Sequence, residues 1–355
     1  MNILHLPTSV GGNAWSLSRG ERALGYASDV LVSNDTWLKY SADISLNIER
    51  KSSVGKLLTL SKTFLELRKK YSVFHFNHGS SLIHSPRNGL FQLDLPYYPD
   101  AARIFVTYNG CDIRQKDQVI KQRKIAPCHN PNCYAGVCND GSLDNWRRIG
   151  LEKMEKYATH IWALNPDLLH FLPEKKSSFL PYAIGGEDFS PVPISKTGRL
   201  KILHAPTDRV NKGSDLLFQA IDKLTLTHGD CFELILVEGV PNAQALDLYK
   251  AADVVVDQLM IGWYGGLAVE CMLLGKPVIA RIEEQDLCFI DPGMAHDLRD
   301  AVINTEPDKI YDTLCWCVEN REELARIAEA GLAYARRWHD PKYVATITTA
   351  AYEKN

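Results

Sequence analysis

Apolar residues along this chain fall in short runs that alternate with longer amphipathic stretches. "NILHLP" reads as a buried strand running into a glycine turn, "LSRGERALGY" as a helix and "ASDVLVS" as the next strand. "VGKLLTLSKTFLELRKKY" spaces its apolar residues as a helix packed on one face does. "SVFHFNHG" and "ARIFVTYNGCDIR" are two further strands, each ending in polar residues and glycine. "EKYATHIWALNPDLLHFLP" holds a strand, a loop and a short helix. This alternation predicts a parallel sheet covered on both faces.

The pattern then restarts. "PYAIGGEDFSPVPISKTG" is rich in Gly and Pro and reads as a linker. "LKILHAP", "CFELILVEG", "DVVVDQ" and "KPVIARI" follow as strands, with "KGSDLLFQAIDKLTL" and "AQALDLYKAA" as helices. "REELARIAEAGLAYARRWHD" is a long amphipathic helix, and the segment after Pro341 is expected to pack back on the first domain. A chain of 355 residues is too long for one ordinary core. The expectation is an α/β protein of two doubly wound, Rossmann-like domains. They comprise residues 1–184 and 185–338, with 339–355 returning to the first. Ligands in open α/β sheets bind beyond the carboxyl ends of strands, and two such domains face to face leave a central cleft. Candidate residues should therefore follow strands, as do Gly11 and Gly12, Asn77 and His78, Asn109 to Arg114, Thr207 to Gly213, and Gly262 to Gly266.

Composition narrows the function. Hydrophobic residues at 45% and charged residues at 23% are ordinary for a globular protein, and a net charge of -3 argues against general nucleic-acid binding. No apolar run approaches the ~20 residues that span a bilayer. The start lacks the basic leader of a signal peptide, so the expected location is the cytoplasm, with nine cysteines as thiols or metal ligands. Basic clusters at 68–70, 121–124, 147–148 and 175–176 read as solvated helix faces. The alternative is contact with an anionic membrane surface on the cytoplasmic face, or with a phosphate-bearing acceptor.

Two stretches carry chemistry. In "HAPTDRVNKGSDLL", Arg209 and Lys212 lie beside Gly213, between a strand and a helix N-terminus. Two cations there make a diphosphate clamp, against the plainer reading of a solvated loop. In "DQLMIGWYGGLAVECMLLGKPVIA", Gly265 and Gly266 let the backbone approach a ligand closely. Glu270, one helical turn on, can accept both hydroxyls of a ribose. Leu267, Val269, Met272 and Leu273 flank it and make a plain exposed glutamate the weaker reading.

These two stretches resemble the donor domain of retaining GT-B glycosyltransferases in the large family 4 group. "HAPTDRVNKGSDLL" resembles that family's arginine-and-lysine phosphate motif. "GWYGGLAVECMLLGKPVIA" resembles its motif of two glutamates separated by seven residues. "TYNGCDIR" and "LNPDLLHFLPEKKSSFLPYAI" are looser matches in the first half. The resemblance implies a GT-B fold and transfer of a sugar, with retention, from a UDP- or GDP-linked donor to a glycan, lipid-linked or small-molecule acceptor. Surface polysaccharide or glycoconjugate synthesis is the implied role. Arg209 and Lys212 match the residues on the donor diphosphate, and Glu270 the one on the ribose. Gly265 and Gly266, with Leu267 after them, match the turn at the phosphates and sugar. Gly11 and Gly12 match the loop that closes on donor phosphate and acceptor. No cofactor is required, because cations replace a metal at the diphosphate. Two positions depart from the pattern. The first motif glutamate falls on Gly262, and the first-domain histidine falls near Asn109, which cannot act as a base. His78 is the candidate to share that role, or else a structural strand-end histidine.

Cys111, Cys128, Cys133 and Cys138 form a candidate structural zinc site, against the reading of several thiols in one loop. Cys315 and Cys317 read as packing residues, and Cys231, Cys271 and Cys288 as core or near-core. Two competing functions stay open. One is a nucleotide-sugar epimerase or hydrolase on the same fold; the other is a non-catalytic nucleotide-sugar binding protein.

Overall fold

A computed structural model of the chain describes residues 1–34, 40–186 and 189–354. Glu187 and Asp188 of the expected linker lie outside the described residues. The chain forms two compact units. The first gathers Met1–Lys116, Asp140–Ile184 and Asp340–Asn355; the second gathers Asp117–Asn139 and Gly185–His339.

In the first unit the strands are β1 (Asn2–Leu6), β2 (Ala27–Val32), β3 (Ile44–Ser45), β4 (Val73–Asn77), β5 (Arg103–Tyr108), β6 (His160–Ala163) and β7 (Ser177–Phe179). They form one sheet in the order β3-β2-β1-β4-β5-β6-β7, every pairing parallel. Its main helices are α1 (Asn13–Ala23), α2 (Ser53–Leu67) and, after α3 (Lys116–Gln122), α4 (Ser142–Tyr157). Central strands are largely apolar because both faces are covered, with His5, His75 and Thr107 buried among them; Ile3, Val73, Phe105 and Trp162 are buried in one cluster with Tyr352.

The second sheet is also parallel, in the order β12-β11-β10-β8-β9. Chain order gives β8 (Leu200–His204), α5 (Arg209–Lys212), α6 (Ser214–His228), β9 (Phe232–Leu236), α7 (Asn242–Lys250) and β10 (Val254–Val256). Then come α8 (Gly266–Leu273), β11 (Val278–Ala280), α9 (Pro292–Ala301), β12 (Val302–Asn304), α10 (Ile310–Glu319) and α11 (Arg321–Trp338). Its core joins Leu200, Ile202, Val254, Val256 and Ile279 to Leu217, Leu224, Leu314 and Leu324 from the helices. Each such side chain contributes ~1.5–3 kcal/mol on burial.

The last helix, α12 (Pro341–Glu353), packs on α1 within the first unit. The approach is so close that a Cβ on Gly20 would stand 2.0 Å from the Pro341 carbonyl oxygen. Tyr352 from α12 lies 2.6 Å, hydroxyl oxygen to Nδ1, from the buried His75, whose Nε2 is 2.6 Å from Thr107 Oγ1. Burial holds His75 well below its ordinary titration range. Among the described residues no helix is long and apolar enough to cross a membrane.

The two strand orders fix where ligands can bind. In the first sheet the winding reverses between β1 and β4; in the second it reverses between β8 and β10. Loops leaving neighbouring strands at such a point diverge and leave a crevice at the carboxyl edge.

Candidate functional site

At the second unit's switch point, β8 ends in His204 and β10 in Val256. His204 ties the loops together. Its Nδ1 is 2.8 Å from the Val256 carbonyl and its Nε2 is 2.8 Å from Ser214 Oγ. Burial lowers its pKa, which suits a neutral imidazole donating on one side and accepting on the other. Asp208 caps the single turn of α5 by accepting from the Asn211 N–H at 2.8 Å. Gly213 then takes φ +77, a left-handed conformation that lets the chain turn directly into α6. The sequence sets the two cations between a strand and a helix N-terminus; the structure gives them a helical turn of their own.

That turn carries Lys212 inward and Arg209 outward. Lys212 is 8% exposed, and its Nζ donates to Asp257 Oδ1 at 2.5 Å. The other oxygen of Asp257, a fully buried carboxylate, accepts from the Gly265 N–H at 2.6 Å. A Cβ on Gly265 would lie 3.3 Å from both Lys212 Nζ and Asp257 Oδ2, so a side chain here would crowd the ion pair. An ammonium has three N–H donors, and one is committed to Asp257. Arg209 is directed at Glu238, with Nε at 2.8 Å and Nη2 at 2.7 Å from its two oxygens. This pair is exposed, and such pairs are weak in water.

Gly265 leads into α8, which begins at Gly266 with the half-buried Leu267 and carries the buried Glu270 one turn on. Asp257 thus ties Lys212 on α5 to Gly265 at the entry to α8, the helix that carries Gly266 and Glu270. Sequence reading overlooked Asp257, although the first polar residue after the "VVV" of β10 was its signal.

Gly262 is occupied from the side. A Cβ there would stand 2.5 Å from the Cβ of Glu283, and the Glu283 N–H donates to the Gly262 carbonyl at 2.9 Å. Glu283 belongs to an ionic group with Arg281 at 2.5 Å and Arg123 at 3.7 Å. Arg123 also pairs with Asp286 at 2.7 Å. Through these contacts and Tyr134, whose hydroxyl accepts from Asn211 Nδ2 at 3.5 Å, the segment Asp117–Asn139 packs on the second unit.

The zinc expectation is not met. Among the described residues no three or more His, Cys, Asp or Glu side chains converge as metal ligands. Cys128, Cys133 and Cys138 lie on the segment packed on the second unit, whereas Cys111 belongs to the first, with its Sγ 3.6 Å from Arg114 Nη1. Cys288 is exposed, because it sits on a surface turn after β11 and not in the core. Cys271 and Cys317 are buried.

In the first unit Gly11 and Gly12 follow β1 with φ +60 and +68, and Tyr40 closes over Gly12. Asn109 follows β5 in a turn made by Asp112, whose carboxylate accepts from the Asn109 and Gly110 N–H groups. The Asn109 side-chain oxygen is buried without a hydrogen bond. Arg114 is a structural ion-pair partner, gripping Asp167 at 2.8 and 3.0 Å. His78 follows β4 with φ +63, unusual for a side chain with a Cβ, and lines a cavity of about 350 Å³.

No protein-family model and no curated protein sequence matches this chain. Solved structures do. A sucrose-phosphate synthase from Thermosynechococcus elongatus aligns over 100% of this chain and 99% of its own, at 14% identity and a TM-score of 0.64. HepE of Anabaena, solved in complex with UDP, aligns over the whole of both chains at 15% identity and a TM-score of 0.60. A UDP-GlcNAc 2-epimerase from Neisseria meningitidis, bound to UDP-GlcNAc, also aligns over both whole chains, at 13% and 0.53. At such identities the likeness is one of fold, and the fold is GT-B: α/β, with two doubly wound parallel sheets.

Proposed function

We propose that the chain is a glycosyltransferase that takes a sugar from a nucleotide-diphosphate donor held at the second unit's switch point. The observation that carries this reading is the Lys212–Asp257–Gly265 contact. It holds an ammonium with uncommitted donors beside a glycine backbone, at the edge where open sheets bind ligands. Lys212 and Arg209 take the diphosphate, and Arg209 exchanges its exposed contact to Glu238 for phosphate oxygens. Glu270 takes the ribose hydroxyls. The first unit supplies the acceptor side.

In the reaction an acceptor hydroxyl oxygen bonds to the anomeric carbon as the carbon–oxygen bond to the diphosphate breaks. The hydroxyl proton passes to the departing phosphate oxygen, and the configuration is retained. The two cations stabilise the charge growing on the leaving group, so no metal is needed there. HepE and sucrose-phosphate synthase, which share the fold, support transfer as the reaction class. We place the product in surface polysaccharide or glycoconjugate synthesis, in the cytoplasm, with the basic helix faces meeting a lipid-linked acceptor at the membrane.

Thermal shift against a panel of nucleotide-diphosphate sugars tests this, since a ligand of the folded state raises Tm by mass action. One donor should raise Tm, and Lys212→Met and Glu270→Ala should abolish the rise. No rise with any donor on folded protein overturns the reading. A second reading, epimerisation of the donor sugar, is favoured by Gly262 where a sugar-contacting glutamate was expected and by the epimerase sharing the fold. NMR of the donor incubated without acceptor separates the two, because only an epimerase changes the sugar's configuration.

A further inference from the structure

The first unit holds a cavity that the nucleotide reading does not use. It lies at the carboxyl ends of β4 and β5, walled on the other side by α4, open to solvent, with a volume of about 350 Å³. That is the size of a small-molecule pocket rather than of a packing defect. We infer that it binds an uncharged, polyhydroxylated ring, the terminal sugar of a glycan acceptor. The acceptor role rests on the proposed transferase reading; the ligand class rests on the pocket.

Three features set the class. The first is its hydrogen-bonding groups. The Gln92 N–H points at His84 Nδ1 at 3.3 Å, so Nδ1 accepts and the ring's proton sits on Nε2. Burial, with His78 and Lys153 nearby, lowers the His84 pKa to about 4, so at neutral pH the ring is an uncharged donor. His78 adds a second imidazole, held at the end of β4 in a left-handed conformation. Its own N–H donates to the Thr107 carbonyl at 3.0 Å, which fixes it to the sheet. Non-glycine residues held so at strand ends are over-represented in ligand sites.

The second feature is charge. Arg147 lines the pocket, but its Nη1 is paired with Asp144 at 2.8 Å. Asp112 brings a carboxylate to the lining, and that carboxylate is held by the Asn109 and Gly110 N–H groups. Among the described residues Arg147 is the one lysine or arginine in the lining, and with its pair to Asp144 made and Asp112 beside it, the lining offers no spare fixed cation to a phosphate or a uronate.

The third feature is apolar surface. Trp146 shares the lining with these polar groups, and a ring with an apolar face and hydroxyls at its edge matches that mixture.

The test is saturation-transfer NMR of the full chain with methyl glucoside, methyl galactoside, methyl mannoside and N-acetylglucosamine. Glucuronic acid and glucose 6-phosphate serve as charged counterparts. At least one neutral sugar should bind, the charged ones at least about tenfold more weakly. Trp146→Ala and His84→Phe should each weaken the neutral sugar by about tenfold. The half-buried Trp146 tolerates truncation, and the Phe variant preserves ring volume, so a fold defect would not affect both alike. The nucleotide-sugar thermal shift is run on the same proteins. Nucleotide stabilisation without any neutral-sugar signal overturns the inference and leaves the nucleotide reading standing. Tighter binding of a charged sugar, or signals unchanged in both variants, also overturns it. Neutral-sugar binding that both variants lose, with no nucleotide stabilisation, upholds the pocket and removes the transferase reading.

Discussion

Lys212→Met isolates the contact on which the proposed nucleotide site is built. The Lys212 side chain is 10% exposed and Asp257 is 0% exposed, so the pair is effectively out of water. Methionine keeps most of the apolar stem and removes the ammonium. Asp257 is then a buried carboxylate with the Gly265 N–H as its remaining contact from the site. Stranding one member of a buried pair costs about 3–5 kcal/mol. For a unit of this size that lowers Tm by about 6–20 °C. Urea titration of wild type and variant gives the number directly. Two controls assign it to the charge. The double variant Lys212→Met/Asp257→Asn replaces the carboxylate by an amide and should recover more than half the loss. Acidification protonates the stranded carboxylate, so the deficit of the single variant should narrow as pH falls. A deficit under about 1 kcal/mol, or costs that simply add in the double variant, would show that Asp257 does not depend on Lys212 for its charge balance. The argument for a preorganised ammonium beside Gly265 would then fail.

Acid should destabilise the protein well above the carboxylate range. His84 titrates at about 4 in the fold against an ordinary 6.5, and burial also lowers His75, His160 and His204. The unfolded chain therefore binds more protons between these values, and stability falls as pH drops from 6.5 toward 4. At ~1.4 kcal/mol per pH unit, His84 alone costs about 3 kcal/mol by pH 4; a urea midpoint unchanged from pH 7 to pH 5 would contradict this. Gly262→Glu, which restores the motif residue, should destabilise by about 1–3 kcal/mol, because its Cβ meets Glu283 at 2.5 Å; calorimetry reads it, and an unchanged Tm refutes it. Glu238→Gln releases Arg209 from its exposed pair and should tighten nucleotide-sugar binding by a factor of about three, measured by calorimetric titration; weaker binding would mean that Glu238 positions Arg209 for the ligand.

The strands were legible because parallel strands buried on both faces are written as largely apolar runs. "VVV" and "VIA" became β10 and β11 with little room for another reading. Lys212 and Gly265 were legible for a related reason. A lysine just after one such strand and paired glycines after another must come together if the strands are neighbours, and β8 and β10 are neighbours. Asp257 was visible as a polar residue closing an apolar strand, but its tie to both residues depends on a crossover that spacing does not display. The cysteines misled because the regular spacing of Cys128, Cys133 and Cys138 in a Pro- and Asn-rich loop imitates a ligand set. Whether thiols converge is decided by where the loop packs, and Asp117–Asn139 packs on the unit built from the later part of the chain.

Gly262 marks where local resemblance stops being informative. A motif position carries its role only while its surroundings leave room for the side chain, and here Glu283 fills that room from a loop some twenty residues on. The Gly262 carbonyl accepts the Glu283 N–H, so glycine and glutamate form one local unit: the backbone of one is the floor on which the other stands. Changing Gly262 alone therefore tests packing, whereas changing Glu283 tests charge, since its carboxylate meets Arg281 and Arg123. A Glu283→Gln variant keeps the shape beside Gly262 and removes the negative charge from between two arginines. It should lower Tm and leave the Gly262 loop intact. If the donor sugar is read from this side of the site, its affinity should change while that of the bare nucleotide diphosphate does not. Titrating both ligands against the variant decides the matter: equal changes place Glu283 with the scaffold, and a change confined to the sugar-bearing ligand places it with recognition.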